Sequence, residues 1–156
     1  MLVFQGFFGI IKIFNLKNLK EFRSLGEDMV THVAFSVKTI GESAFELCTA
    51  LSTFPFSEME QLESVGKYSF HSSGLSGDIT FPDSLKCIEH GAFENTSINS
   101  VIIRKNVATI GQFAFNNCSK LTDIFYRGTQ AQWESLMSGE DNKVPSRTIL
   151  HLNSRC

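Results

Sequence analysis

The sequence predicts an α/β repeat solenoid, built from coils of roughly 23 residues that each contribute one short parallel strand, and closed by a short C-terminal helix. Three observations predict it. A nine-residue phrase recurs four times, an apolar triplet follows each copy, and the last copy leads into a helix-start signal. A unit this short cannot bury its own apolar side. It acquires a core only by stacking on its neighbours.

The phrase begins at Val37, Leu62, Leu85 and Val107, at intervals of 25, 23 and 22 residues. Each copy has a second aliphatic residue three positions on (Ile40, Val65, Ile88, Ile110) and a small residue at its eighth position (Ala44, Ser69, Ala92, Ala114). The ninth position is always phenylalanine: Phe45, Phe70, Phe93 and Phe115. Stacking turns these recurrences into columns. The four benzyl rings become a core ladder along the axis, and the small residue beside each lets adjacent coils close up.

The triplets are Leu51, Phe54, Phe56; Leu75, Ile79, Phe81; Ile98, Val101, Ile103; and Leu121, Ile124, Tyr126. The last two members of each are two residues apart, the period of a strand with one buried face. The second triplet is one residue longer, consistent with Gly74 and Gly77 loosening its turn.

Residues 128–156 read as a C-terminal cap. Thr129 and Gln132 form a capping box, which places a helix over about 130–138. Trp133, Leu136 and Met137 then share one face, and Gly139 is a stop signal. Trp133 is expected to lie over the last coil, with a sugar platform as the functional alternative. A short strand is expected at about 148–152.

Residues 1–36 fit the phrase less well and read as a degenerate N-terminal repeat or cap. Phe14, Leu16, Leu19 and Phe22 look like the Phe-to-strand half of a unit, and Leu25, Gly26, Met29 and Val30 echo the phrase itself. Met1 to Phe14 carries one charge, Lys12, and is shorter than the about 20 apolar residues that span a bilayer. It has the length of a signal-peptide core but no basic start and no small-residue cleavage site. A buried strand or cap is expected, with a leader remnant or a truncated edge as alternatives.

Composition sets bounds on function. With 42% hydrophobic and 19% charged residues the chain is no disordered tail, and a net charge of −2 argues against a nucleic-acid binder, which needs a basic stripe. Fifteen Phe against two Tyr and one Trp favour core filling over a polar aromatic platform. The histidines (His32, His71, His90, His151) and cysteines (Cys48, Cys87, Cys118, Cys156) show no metal-ligand spacing, so neither metal nor cofactor is expected. Nucleophile elbow, phosphate loop and paired catalytic carboxylates are lacking too, and Glu89 with His90 reads as a solvated turn, so the chain is not expected to be an enzyme.

Cys48 and Cys118 share a column with Ser73 and Thr96, small side chains that can tuck inside and bond weakly to backbone carbonyls. Three coils separate the two cysteines, roughly 14 Å at about 4.8 Å per strand, too far for a disulfide. Cys87 takes the place of Thr39, Ser64 and Thr109 and should lie near the surface, with a bridge to Cys156 left open.

The run Ile110, Gly111, Ala114, Phe115, Cys118, Leu121 has the pattern Ile-Gly-x-x-Ala-Phe-x-x-Cys-x-x-Leu. It resembles the BspA-like (Treponema-type) leucine-rich repeats. The link from Phe81 through Pro82, Asp83 and Ser84 to Leu85, and the ending from Phe125 to Trp133, resemble that family as well. The likeness covers about residues 37–127, read as four repeats. It implies a leucine-rich-repeat right-handed superhelix, at the cell surface or secreted, that adheres to host or matrix proteins.

If the triplets point inward, the residues between them point out. Thr53, Pro55, Asp78, Thr80, Ser100, Ile102, Asp123 and Phe125, flanked by Arg104 and Arg127, then form the expected partner-binding face. Outward Ile102 and Phe125 on adjacent strands suggest a small apolar patch, unless a loop or the cap covers Phe125. The reading that follows is a non-enzymatic module that recognises a protein or glycoprotein, with no nucleic acid and no membrane span. The alternative is a structural spacer, a fragment of a longer surface solenoid with no partner site of its own.

Overall fold

The computed structural model describes residues 10–11, 37–138 and 144–153. Most of the expected N-terminal unit, the stop at Gly139, and Cys156 with its possible bridge lie outside the described residues.

The chain winds as a parallel solenoid whose coils follow the spacing of the phrase. Each phrase supplies a two-residue strand: β2 (Thr39–Ile40), β3 (Ser64–Val65), β5 (Cys87–Ile88) and β7 (Thr109–Ile110). Their successive pairings are parallel, and β1 (Ile10–Ile11) precedes them, pairing with β2. Each triplet after the first supplies a strand of a second parallel sheet: β4 (Ser76–Thr80), β6 (Ser97–Ile103) and β8 (Asp123–Tyr126). The strand β9 (Ile149–Leu152) joins β8 at the end of this sheet. Each such coil therefore carries two strands where one was expected.

The β2-type strands are short because the chain must turn at once. Gly66 and Gly111 follow β3 and β7, and both sit against the preceding coil. A Cβ on Gly66 would lie 2.6 Å from the Ile40 carbonyl oxygen, and one on Gly111 2.5 Å from the His90 nitrogen. Left-handed backbone then bends the chain at two places per coil: Ser43 and Leu47, Tyr68 and Ser72, Gly91 and Asn95, Phe113 and Asn117. The irregular backbone between them is still satisfied coil to coil. Phe45 donates its N–H to Ser69 O at 2.7 Å, Phe70 to Ala92 O at 2.8 Å, and Phe93 to Ala114 O at 2.9 Å.

These bonds bring the phenylalanines into line. Phe45, Phe70, Phe93 and Phe115 are all buried, and successive ring centroids are 5.0, 5.3 and 5.6 Å apart in stacked geometry. The triplets close the other side of the same core, with Ile79, Val101 and Ile124 in register along the second sheet.

The first triplet departs from the expectation of a strand. Thr53 and Pro55 are exposed and lie outside the sheet, and a 3-10 turn (Phe56–Glu58) follows them. Pro55 explains this, since it has no N–H to give to a ladder and its ring fixes φ. Phe54 and Phe56 pack edge-on against the ladder instead, Phe54 at 4.9 Å from Phe70 and Phe56 at 5.7 Å from Phe93.

The cap forms one short helix, α1 (Gln130–Leu136), slightly shorter than expected. Thr129 caps it: its Oγ1 accepts from Gln132 N at 3.3 Å while its own N–H donates to Gln132 Oε1 at 2.9 Å. Trp133 is buried with its ring 5.5 Å from that of Tyr126, over the last coil. No helix among the described residues is long and apolar enough to cross a membrane.

Candidate partner-binding face

The second sheet presents its outward side chains in straight columns, because parallel register repeats from coil to coil. One column is Asp78, Ser100, Asp123 and Ile149, and the next is Thr80, Ile102, Phe125 and His151. Two residues further on lie Pro82, Arg104, Arg127 and Asn153. Of the sequence-predicted face, Asp78, Thr80, Ser100, Ile102, Arg104, Asp123, Phe125 and Arg127 come together here. Thr53 and Pro55 belong to the irregular first coil and are not part of this sheet.

The polar column is internally bonded. Ser100 Oγ donates to Asp78 Oδ1 at 2.7 Å. Asp123 accepts from Thr122 Oγ1 at 2.7 Å and from His151 Nε2 at 2.7 Å. The hydrogen bond from His151, then that from Thr122, holds the Asp123 carboxyl below the usual carboxylate range.

The adjoining column is mixed. Ile102 and Phe125 are each half-buried. The His151 ring stacks on Phe125 with centroids 4.5 Å apart and planes 13° from parallel. The cap thus covers one face of Phe125 and leaves its flank beside Ile102. β9 adds Ile149, 59% exposed, to the same side of the sheet, so the apolar surface runs one strand further than the triplets alone indicate. Sequence reasoning missed Ile149 and His151 as members of the face. The signal was there in the alternation of Ile149 and His151 with Leu150 and Leu152, but nothing in the chain order says which strand β9 joins.

At the strand ends, Arg104 Nε lies 3.2 Å from Asp83 Oδ1 and donates to Phe81 O at 3.4 Å. Arg127 is half-buried, and its Nε is shielded from solvent with no hydrogen-bond partner. A concavity lined by Asp83, Arg104, Lys105, Asn106, Arg127 and Asn153 lies there.

Other sequence candidates fall elsewhere. Glu89 is exposed, yet its carboxylate reaches back to the preceding coil and accepts from Lys67 N at 3.1 Å. His90 lies between the rings of Tyr68 and Phe113, at 5.1 and 5.4 Å. The Cys column tucks inward at Ser73, Thr96 and Cys118, whereas Cys48 in the first coil is only half-buried. Thr96 Oγ1 donates to Phe93 O at 2.7 Å, Cys118 Sγ donates to the same oxygen at 3.2 Å, and burial pushes the Cys118 thiol up. Cys87 is half-buried in the column of Ser64 and Thr109. Among the described residues no group of three or more His, Cys, Asp or Glu is placed to hold a metal ion.

A family model, that of the BspA type Leucine rich repeat region, matches residues 38–135 in six copies. No curated protein and no solved structure matches the chain.

Proposed function

We propose that this chain, which belongs to the BspA type leucine-rich repeat family, is a non-enzymatic recognition module that binds a protein or glycoprotein through the outward side of its second sheet. The observation that carries the reading is the in-register column Thr80, Ile102, Phe125, His151, an apolar centre with a polar column on one side and two arginines on the other. That layout is the one protein interfaces favour, an apolar and aromatic middle within a polar rim. A rigid sheet presents it without an ordering cost on binding. The family resemblance adds a cell-surface or secreted setting and host or matrix proteins as the partners.

The test is the double variant Ile102→Asp, Phe125→Asp. Both side chains point away from the core, so circular dichroism is expected to stay unchanged while capture on immobilised matrix proteins and glycoproteins falls. Capture that survives the double substitution, with the fold intact, overturns this face as the binding surface, and no capture by the wild-type chain leaves a structural spacer as the better reading.

A further inference from the structure

We propose that the concavity at the ends of β6 and β8, around Arg104 and Arg127, is a carboxylate site that receives an acidic side chain of the protein partner. The inference rests on the recognition reading above and specifies the partner's chemistry. Arg104 and Arg127 directly follow Ile103 and Tyr126, which are paired in register, and Arg127 N donates to Ile103 O at 3.0 Å. The two arginines therefore start from neighbouring backbone positions about 4.8 Å apart, and Lys105 stands beside them.

Three cations in so small a space repel one another, and the described residues supply one counter-charge at the concavity. Asp83 lies against Arg104. No described acidic side chain pairs with Arg127 by the same distance measure, and its Nε–H is withdrawn from water without an acceptor. A buried guanidinium N–H left unpaired is costly, and a planar two-oxygen acceptor is the group that matches its fork. A carboxylate supplies the missing negative charge, and because the Nε–H is closed to water, Arg127 turns its guanidinium outward to take it as acceptor.

The setting favours a peptide over a glycan as its source. The arginines lie two residues beyond Ile102 and Phe125 and so share their side of the sheet. A segment that places a carboxylate on Arg127 sets its neighbouring apolar side chain on Ile102 and Phe125. The expected partner sequence is therefore acidic and aliphatic in alternation.

The experiment uses the full chain, labelled with nitrogen-15, and an N-acetylated, C-amidated hexapeptide of alternating glutamate and leucine. The Arg127 Nε–H resonance is expected to shift saturably as peptide is added, with an affinity that falls as salt is raised. Arg127→Gln is expected to weaken the peptide by about tenfold or more. Arg127→Lys, which keeps the charge and loses the fork, should recover only part of that loss. Exposed Arg147, which lies away from the concavity, serves as the control, and Arg147→Gln should bind as wild type. Unchanged unfolding midpoints establish that the variants are folded. No saturable shift at Arg127, or equal affinity in Arg127→Gln, overturns the proposal. A heparin disaccharide that binds at Arg127 more tightly than the peptide also overturns it, in favour of a sulfated glycan. The two readings fail separately: matrix-protein capture that depends on Ile102 and Phe125 but ignores Arg127→Gln sinks only this site, whereas peptide binding at Arg127 without any protein capture sinks only the recognition role.

Discussion

Phe70 and Phe93 lie with ring centroids 5.3 Å apart and planes within 3° of parallel. They are 23 residues apart in the chain, one coil. Phe70 N donates to Ala92 O, so the same coil-to-coil bond that joins the backbones fixes the spacing of the rings. Main-chain register and side-chain stacking are thus one constraint, repeated along the axis.

Phe93 tests that constraint, fully buried between Phe70 and Phe115 with Phe56 and Phe81 against its edge. Phe93→Ala should cost about 3–5 kcal/mol in urea unfolding, the usual range for a buried aromatic. A loss below about 1 kcal/mol would show that the ladder is not packed.

Gly66 is expected to resist any side chain. A Cβ there would meet Ile40 O at 2.6 Å, Gly41 C at 2.8 Å and Glu42 N at 2.9 Å, all backbone atoms that cannot swing aside. Gly66→Ala should destabilise by about 1–3 kcal/mol, because coils must part to admit a methyl group. The thermal midpoint reads it, and an unchanged midpoint would contradict the close approach of the coils.

Two positions break their own columns, and repairing them should stabilise. Ser69 is fully buried where the other coils have Ala, and its Oγ has no hydrogen-bond partner. Leu47 is 66% exposed at φ 58°, in the column where later coils place Ser72, Asn95 and Asn117. Ser69→Ala should gain about 1 kcal/mol by removing an unsatisfied hydroxyl. Leu47→Asn should gain about 1 kcal/mol, since asparagine tolerates left-handed backbone that leucine does not. Denaturation midpoints for each variant check the direction, and a loss in either contradicts the assignment.

The docking of β9 should be acid-sensitive through Asp123. Its carboxyl is held below the ordinary range by His151 first and Thr122 second. A value lowered on folding means that stability is fully present above the ordinary range and lost as pH falls through the lowered value. Wild-type midpoints should therefore decline as pH falls below about 4, and Asp123→Asn should flatten that decline. An acid limb equally steep in the variant would show that the His151 contact contributes nothing.

Recurrence explains what the sequence reading could reach. Phe45, Phe70, Phe93 and Phe115 announce themselves by position, and so do the inward pairs such as Val101 and Ile103, since a column needs only a period to be seen. Thr129 and Gln132 are equally legible, because a capping box is local. The two-residue strands were not legible, for neither alternation nor length can show in Ser64–Val65 alone. Pro55 is a ladder breaker by its own chemistry, which the period of the triplets does not register. The stacking of His151 on Phe125 was beyond reach. It depends on β9 returning to β8, with Asp123 and His151 28 residues apart and a helix between them. Nor could a linear chain reveal that Arg104 finds Asp83 while the Arg127 Nε–H finds no acceptor.

The turn at Pro55 also decides how the molecule can associate with itself. One of its two sheets continues through β2 to β1, while the other halts at β4 behind a segment that offers it little beyond the bonds from Gly74 N to Cys48 O and from Ser76 N to Ser52 O. An open parallel edge invites further strands and, in the end, fibrils. With the first coil lying over that flank of β4, edge-to-edge polymerisation through the four-stranded sheet has one direction fewer in which to proceed, and Pro55, by keeping that coil out of the ladder, serves as the gatekeeper.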